Sequence, residues 1–148
     1  RSPASPGRWR CWPGTCVRRI AAGGAGQAPA HSGRFFEQGI ELLIDPLAMP
    51  VGADPENAKN TLETIYLIKE KYGLNMSIGA SNVSFGLPNR HALNAAFMPM
   101  AMSMGLTSAI MDGRTPEVVQ AVRAADLLLG LDQWGANWIT NFRASKEA

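Results

Sequence analysis

The first 34 residues contain no Asp, Glu or Lys, and the residues after them contain no Cys. The first absence leaves six arginines (Arg1, Arg8, Arg10, Arg18, Arg19 and Arg34) without a counter-charge. The second confines Cys11 and Cys16 to that same tract and excludes a disulfide framework. Residues 35–148 hold all twelve acids against four Lys and four Arg, a net of −4. That balance carries no electrostatic footprint for nucleic acid. Long apolar runs are missing too: the stretch Ala96–Met104 ends at Gly105, well short of the roughly 20 residues that cross a bilayer. A cytoplasmic protein without a membrane segment is expected. His31 and His91 stand apart from each other and from any Cys, so no metal-ligand set is visible.

Two unlike pieces make up the chain. Residues 1–34 are dense in Arg, Pro, Gly and Ala, with Trp9 and Trp12 added, and show no period of 2 or 3.6. Such a tract could be an Arg-rich targeting leader or a basic tail for nucleic acid or lipid. It could also be GC-rich DNA read in the wrong frame, and composition favours this last reading. Residues 1–34 are therefore set apart as a disordered or mistranslated tract, and 35–148 as the folded domain.

From Phe35 the pattern changes. A helical remnant over Phe35–Gly39 leads to a short apolar strand, Glu41–Asp45, stopped by Pro46. Asp54-Pro55-Glu56 opens a helix with a cap, a first-turn Pro and an acid. Its apolar face is Ala58, Leu62, Ile65, Ile68 and Tyr72, and Gly73 ends it. The unit repeats: strand Asn75–Gly79, a long loop to Asn89, then a helix from Arg90 with Leu93, Phe97, Met100 and Met104 as its stripe. It repeats again: strand Thr107–Met111, then a helix opened by Thr115-Pro116-Glu117, striped by Val118, Val122, Ala125 and Leu129. Trp134 and Trp138 follow, and packing over the base of the domain is expected of them.

This β-α-β-α-β-α order means a parallel sheet with right-handed crossovers. The strand ends Asp45, Asn82 and Asp112 fall 37 and 30 positions apart, close to the roughly 31 residues per unit of a (β/α)8 barrel. A doubly wound dinucleotide fold has a similar period, but no Gly-x-Gly-x-x-Gly follows any strand. Three strands cannot close a barrel, so the piece is incomplete; the expected fold class is α/β, the C-terminal part of such a barrel. In barrels the working residues stand at strand C-termini. Those positions hold Asp45, then Ser81, Asn82, Ser84 and Arg90, then Asp112. Asp45 is expected half-buried at the rim, unless it merely caps the turn before Pro46. The loop Gly79–Arg90 exceeds the 2–6 residues that a βα connection commonly needs.

The stretch Ser-Asn-Val-Ser-Phe-Gly-Leu-Pro-Asn-Arg (Ser81–Arg90), with Leu93-Asn94-Ala95-Ala96-Phe97 after it, resembles the methyltetrahydrofolate:corrinoid methyltransferases. Their pterin-binding barrel is shared with the folate module of cobalamin-dependent methionine synthase. Ile44-Asp45-Pro46-Leu47 resembles the preceding rim motif, and Ala109-Ile110-Met111-Asp112 the last strand. The resemblance covers residues 35–130. It implies methyl transfer between N5 of a methyltetrahydrofolate or related pterin and the cobalt of a corrinoid (cobalamin) carried by a partner protein. It implies that Asp45 accepts hydrogen bonds from the pyrimidine edge, that Asn82 reaches N5 as the catalytic amide, and that Ser81 and Arg90 support the substrate. It further implies dimerisation through late helices. An Asp and an Asn that the family draws from earlier strands have no counterpart in residues 1–34. The rival dihydropteroate synthases resemble this barrel but carry Ser-Arg-Lys-Ser where this chain has Ser81-Asn82-Val83-Ser84. The remaining alternative is a barrel fragment without catalysis, its Met98, Met100, Met102 and Met104 forming a core face left uncovered.

Overall fold

The computed structural model describes residues 9–12, 15–18 and 42–147. In the Arg-rich tract, β1 (Trp9–Trp12) pairs antiparallel with β2 (Thr15–Arg18), with Cys11 opposite Cys16. The helical remnant expected at Phe35–Gly39 lies outside the described residues.

Three βα units follow in the expected order. Strand β3 (Leu43–Ile44) precedes helix α1 (Asn57–Tyr72), β4 (Asn75–Gly79) precedes α2 (Arg90–Ser103), and β5 (Ser108–Ile110) precedes α3 (Pro116–Leu128). Helix α4 (Ala136–Glu147) ends the described chain. The strands lie in the order β3-β4-β5, all parallel, with Ile44 opposite Met76 and Gly79 opposite Ile110. This α/β sheet is compatible with part of a barrel. All three strand C-termini therefore fall on one edge, and the loops leaving them share that edge. Below it, Thr107 and Ser108 lock β5 to β4: both hydroxyls donate to the Met76 carbonyl at 2.8 Å, and the Met76 N–H donates to Thr107 Oγ1 at 2.7 Å.

Helix boundaries follow local chemistry. Asp54 Oδ1 accepts the Glu56 N–H at 2.9 Å, and the regular helix begins at Asn57, two residues later than the motif suggests. Gly73 ends α1 at φ 61, donating to the Lys69 carbonyl. Gly105, at φ 105, ends the turn after α2, where a Cβ would meet Lys69 Cγ at 2.7 Å. Thr115 precedes α3 as expected, with Pro116 in the first turn, but its side chain makes no cap bond.

The core is Ile65 from α1, Met76 and Ile78 from β4, Met98 and Ala101 from α2, and Val122 from α3. The buried face of α2 differs from the expected stripe. Asn94, Phe97, Met98, Ala101 and Met102 are buried, while Leu93, Met100 and Met104 are exposed. The stripe is displaced because a polar residue, Asn94, occupies one of its inward positions. Tyr72 and Leu129, expected on buried faces, are also exposed. Trp134, expected to pack over a base, is 98% exposed, and Trp138 is 38% exposed. Among the described residues, no helix is long and apolar enough to cross a membrane.

Candidate functional site

The site is built from the loops leaving β3, β4 and β5. After β4 the chain enters a 3-10 turn, Ala80–Ser84, whose Ala80, Val83 and Ser84 are buried while Ser81 and Asn82 face out. This turn is clamped by Arg90. Its Nη2 donates to the Ser81 carbonyl at 2.8 Å and its Nε to Ser84 Oγ at 3.1 Å, while Ser84 Oγ donates to the Ser81 carbonyl at 3.2 Å. The guanidinium also lies 5.8 Å from the centre of the exposed Phe85 ring. A planar fork with fixed donors suits this three-point closure, which a lysine ammonium would not reproduce. Arg90 therefore acts first on the loop that presents Asn82.

Asn82 folds back over the end of β4. Its Nδ2 would lie 3.1 Å from a Cβ placed on Gly79, so the glycine leaves the space the amide occupies. The β3 loop docks on the same turn, with the Val51 N–H donating to the Val83 carbonyl at 3.0 Å. Leu87 packs over Gly52, 3.4 Å from where a Cβ would stand.

Asp45 departs from expectation. Its side chain is exposed rather than half-buried, and its Oδ1 accepts the Leu47 N–H at 2.9 Å. The physical reason is that β3 pairs over only two residues before Pro46, and Leu47 then turns at φ 58. The carboxylate closes that turn, as the rival reading of this Asp anticipates.

Asp112 stands at the end of β5, held by Arg114 through Nε at 3.0 Å, Nη2 at 3.2 Å and the backbone N–H at 2.9 Å. The Arg114 side-chain bonds, then its backbone N–H, hold this carboxyl below its ordinary range. A cleft of about 570 Å3 opens between the β4–α2 loop and the β5–α3 turn. It brings together Ser81, Arg90 and Asp112, but Asp45 and Asn82 do not line it. Sequence reasoning passed over three residues that do: His91, Asn94 and Thr115. Thr115 Oγ1 lies 3.5 Å from His91 Nδ1, which accounts for its missing helix cap. The sequence signal for Asn94 was its place at i−3 and i−4 from Phe97 and Met98.

No family model matches the chain. The chain is similar to a methylcorrinoid:tetrahydrofolate methyltransferase of Eubacterium limosum. The two are 36% identical over 106 residues, a stretch covering 71% of this chain and 39% of that protein. The likeness supports this methyltransferase family for the matched stretch. The chain thus spans well under half the length of its relative.

Proposed function

We propose that the protein carrying this segment transfers a methyl group between N5 of tetrahydrofolate, or a related pterin, and the cobalt of a corrinoid borne by a partner protein. The observation that carries this reading is the 36% identity to a methylcorrinoid:tetrahydrofolate methyltransferase. The clamped Ser81–Arg90 loop at the strand edge agrees with it. The relative's name sets methylcorrinoid and tetrahydrofolate as its reactants, and both enter here as substrates.

The chemistry asks little of the protein beyond position and one hydrogen bond. In one direction N5 gives its electron pair to the methyl carbon, the Co–C bond breaks with its pair left on cobalt, and N5 loses its proton. In reverse, N5 is a poor leaving group until it gains a proton or hydrogen bond as the N–C bond breaks. The Asn82 amide, held at a strand end by Gly79 and the Arg90 clamp, can follow that change. It then stabilises the transition state more than the ground state. Asp45 is assigned to the donor-rich pyrimidine edge, where a carboxylate takes two N–H bonds. Binding there requires the Leu47 N–H to share Oδ1 or to let it go. Ser81 and Arg90 support the loop.

The test uses the full-length protein carrying this segment, following loss of methylcobalamin absorbance on adding tetrahydrofolate. Asn82→Ala is expected to lower the transfer rate by about 10- to 1,000-fold while weakening folate binding far less. Absence of any demethylation by the wild type would remove the methyltransferase reading. An Asn82→Ala effect on binding alone would remove the catalytic role of the amide.

A further inference from the structure

The turn that presents Asn82 has most of its carbonyls bonded from close by. Arg90 Nη2 and the Ser84 hydroxyl donate to the Ser81 carbonyl. The Phe85 N–H donates to the Asn82 carbonyl and the Leu87 N–H to that of Ser84, each at 3.1 Å. All these donors belong to the β4–α2 loop or to Arg90 at the start of α2. The Val83 carbonyl differs. Its donor, the Val51 N–H at 3.0 Å, comes from the β3–α1 loop. Val83 is buried and follows Asn82 directly, so this bond fixes the backbone one residue beyond the amide.

The peptide group that reaches across is itself held on its other side. Its N–H is that of Val51 and its carbonyl is that of Pro50. The carbonyl accepts the Asn57 Nδ2–H at 2.8 Å, besides the Ala53 N–H at 3.1 Å. Asn57 is the first residue of α1 and is half-buried. Side chain, peptide and turn thus form a chain of hydrogen bonds from Asn57 through Pro50–Val51 to Val83. In such a chain each bond polarises the next. Asp45 sits on the same loop with anchors of its own, since the Leu47 N–H closes its turn and Ala48 behind it is buried in the core. Loss of the Asn57 amide therefore bears on the turn holding Asn82 more than on Asp45.

Resting on the methyltransferase reading, we propose that Asn57 is a positioning residue for the methyl transfer. Its amide holds the Pro50–Val51 peptide, and that peptide holds the turn that presents Asn82 to N5. Asn57 acts through this chain and not by contact with the pterin. A plain loop anchor would make the same bond, but its loss would cost the same whatever residue stood at position 82. Coupling to Asn82 separates the two roles.

The experiment is a double-mutant cycle on the full-length protein carrying this segment, following methyl transfer from methylcobalamin at varied tetrahydrofolate. Asn57→Asp keeps the side-chain shape and loses the N–H donor. It is expected to fold, because a carboxylate in the first turn of α1 suits the helix dipole. Asn57→Ala repeats the test without the new charge. Both should lower kcat about fivefold to tenfold and leave the folate KM within about twofold. In an Asn82→Ala background each should cost less than about twofold, since the amide they position is gone. Hydrogen exchange at the Val51 amide should accelerate in both variants, while that of Met76 in β4 should not. Equal loss with and without the Asn82 amide would overturn the proposal and leave Asn57 a structural anchor. A raised KM at unchanged kcat would overturn it as well, by moving the effect to binding. So would an unchanged kcat with faster Val51 exchange, because the link would then carry no position. A wild type that transfers no methyl group would refute the methyltransferase reading and the positioning role with it, while Val51 exchange still registers the hydrogen-bonded chain.

Discussion

Gly79 and Asn82 form the tightest coupling between backbone and candidate chemistry in this chain. Gly79 has φ −75, which any residue adopts without strain, so its lack of a side chain serves the space beside it. That space holds the Asn82 amide, at 3.1 Å from where a Cβ would be. Gly105 differs, since a Cβ there would add a left-handed backbone to a 2.7 Å contact with Lys69. Gly79→Ala should therefore fold with little change in thermal midpoint while shifting the Asn82 amide by a few tenths of an ångström. A displacement of that size should lower the methyl-transfer rate about tenfold, since misplacement by a full ångström can cost about a hundredfold. Steady-state rates and melting curves on the same preparations check this. An unchanged rate would mean that Asn82 does not work from the position it holds here.

At the scale of elements, the first turn of α4 is capped by one carboxylate just before it. Asp132 accepts the Asn137 N–H at 3.1 Å and its Nδ2 at 2.9 Å on one oxygen, and the Trp138 N–H at 2.9 Å on the other. Burial alone would raise the Asp132 pKa, but the two backbone N–H groups and the Asn137 amide outweigh it and hold the carboxyl below its ordinary range. A carboxyl lowered on folding contributes its stabilisation above the unfolded pKa and loses it as pH falls through the folded value. Hydrogen exchange in α4 should thus accelerate relative to α2 as pH drops from about 6 to about 3. Asp132→Asn should exchange fast in α4 at neutral pH and lose that dependence. Equal protection of α4 in both proteins across the range would remove this role for Asp132. Elements of this kind were only partly legible in the sequence. The three βα units were readable because cap-Pro-acid openings and terminal glycines punctuate them, and period does the rest. The face of α2 was not, because Asn94 hides an inward position behind a polar residue and Leu93 imitates one. Thr115 was misread as a side-chain cap for a related reason: its partner, His91, is 24 positions away. Asp45 was placed correctly at a strand end, but its burial was not readable, since that depends on how far β3 pairs.

For the molecule as a whole, the sheet sets the limit on what this segment does by itself. Among the described residues β3 and β5 lie at the two edges of the three-stranded parallel sheet, and Leu43 and Ile110 on them are 60% and 58% exposed. Edge strands with exposed apolar side chains call for further pairing, and a barrel binds ligand with residues from several strand ends around its mouth. The stretch matched to the methyltransferase is 39% of that protein, and no residue of 1–34 supplies the further Asp and Asn that the family resemblance asks for. Half a pocket loses more than half its binding energy, because the ligand still gives up its freedom and its water while fewer groups meet it. The isolated 148-residue chain is accordingly expected to give no micromolar heat of binding with methyltetrahydrofolate and no transfer. The same segment within its full-length protein should give both. Micromolar affinity from the isolated chain would show that the described strand ends suffice, and would refute the need for the remaining strands.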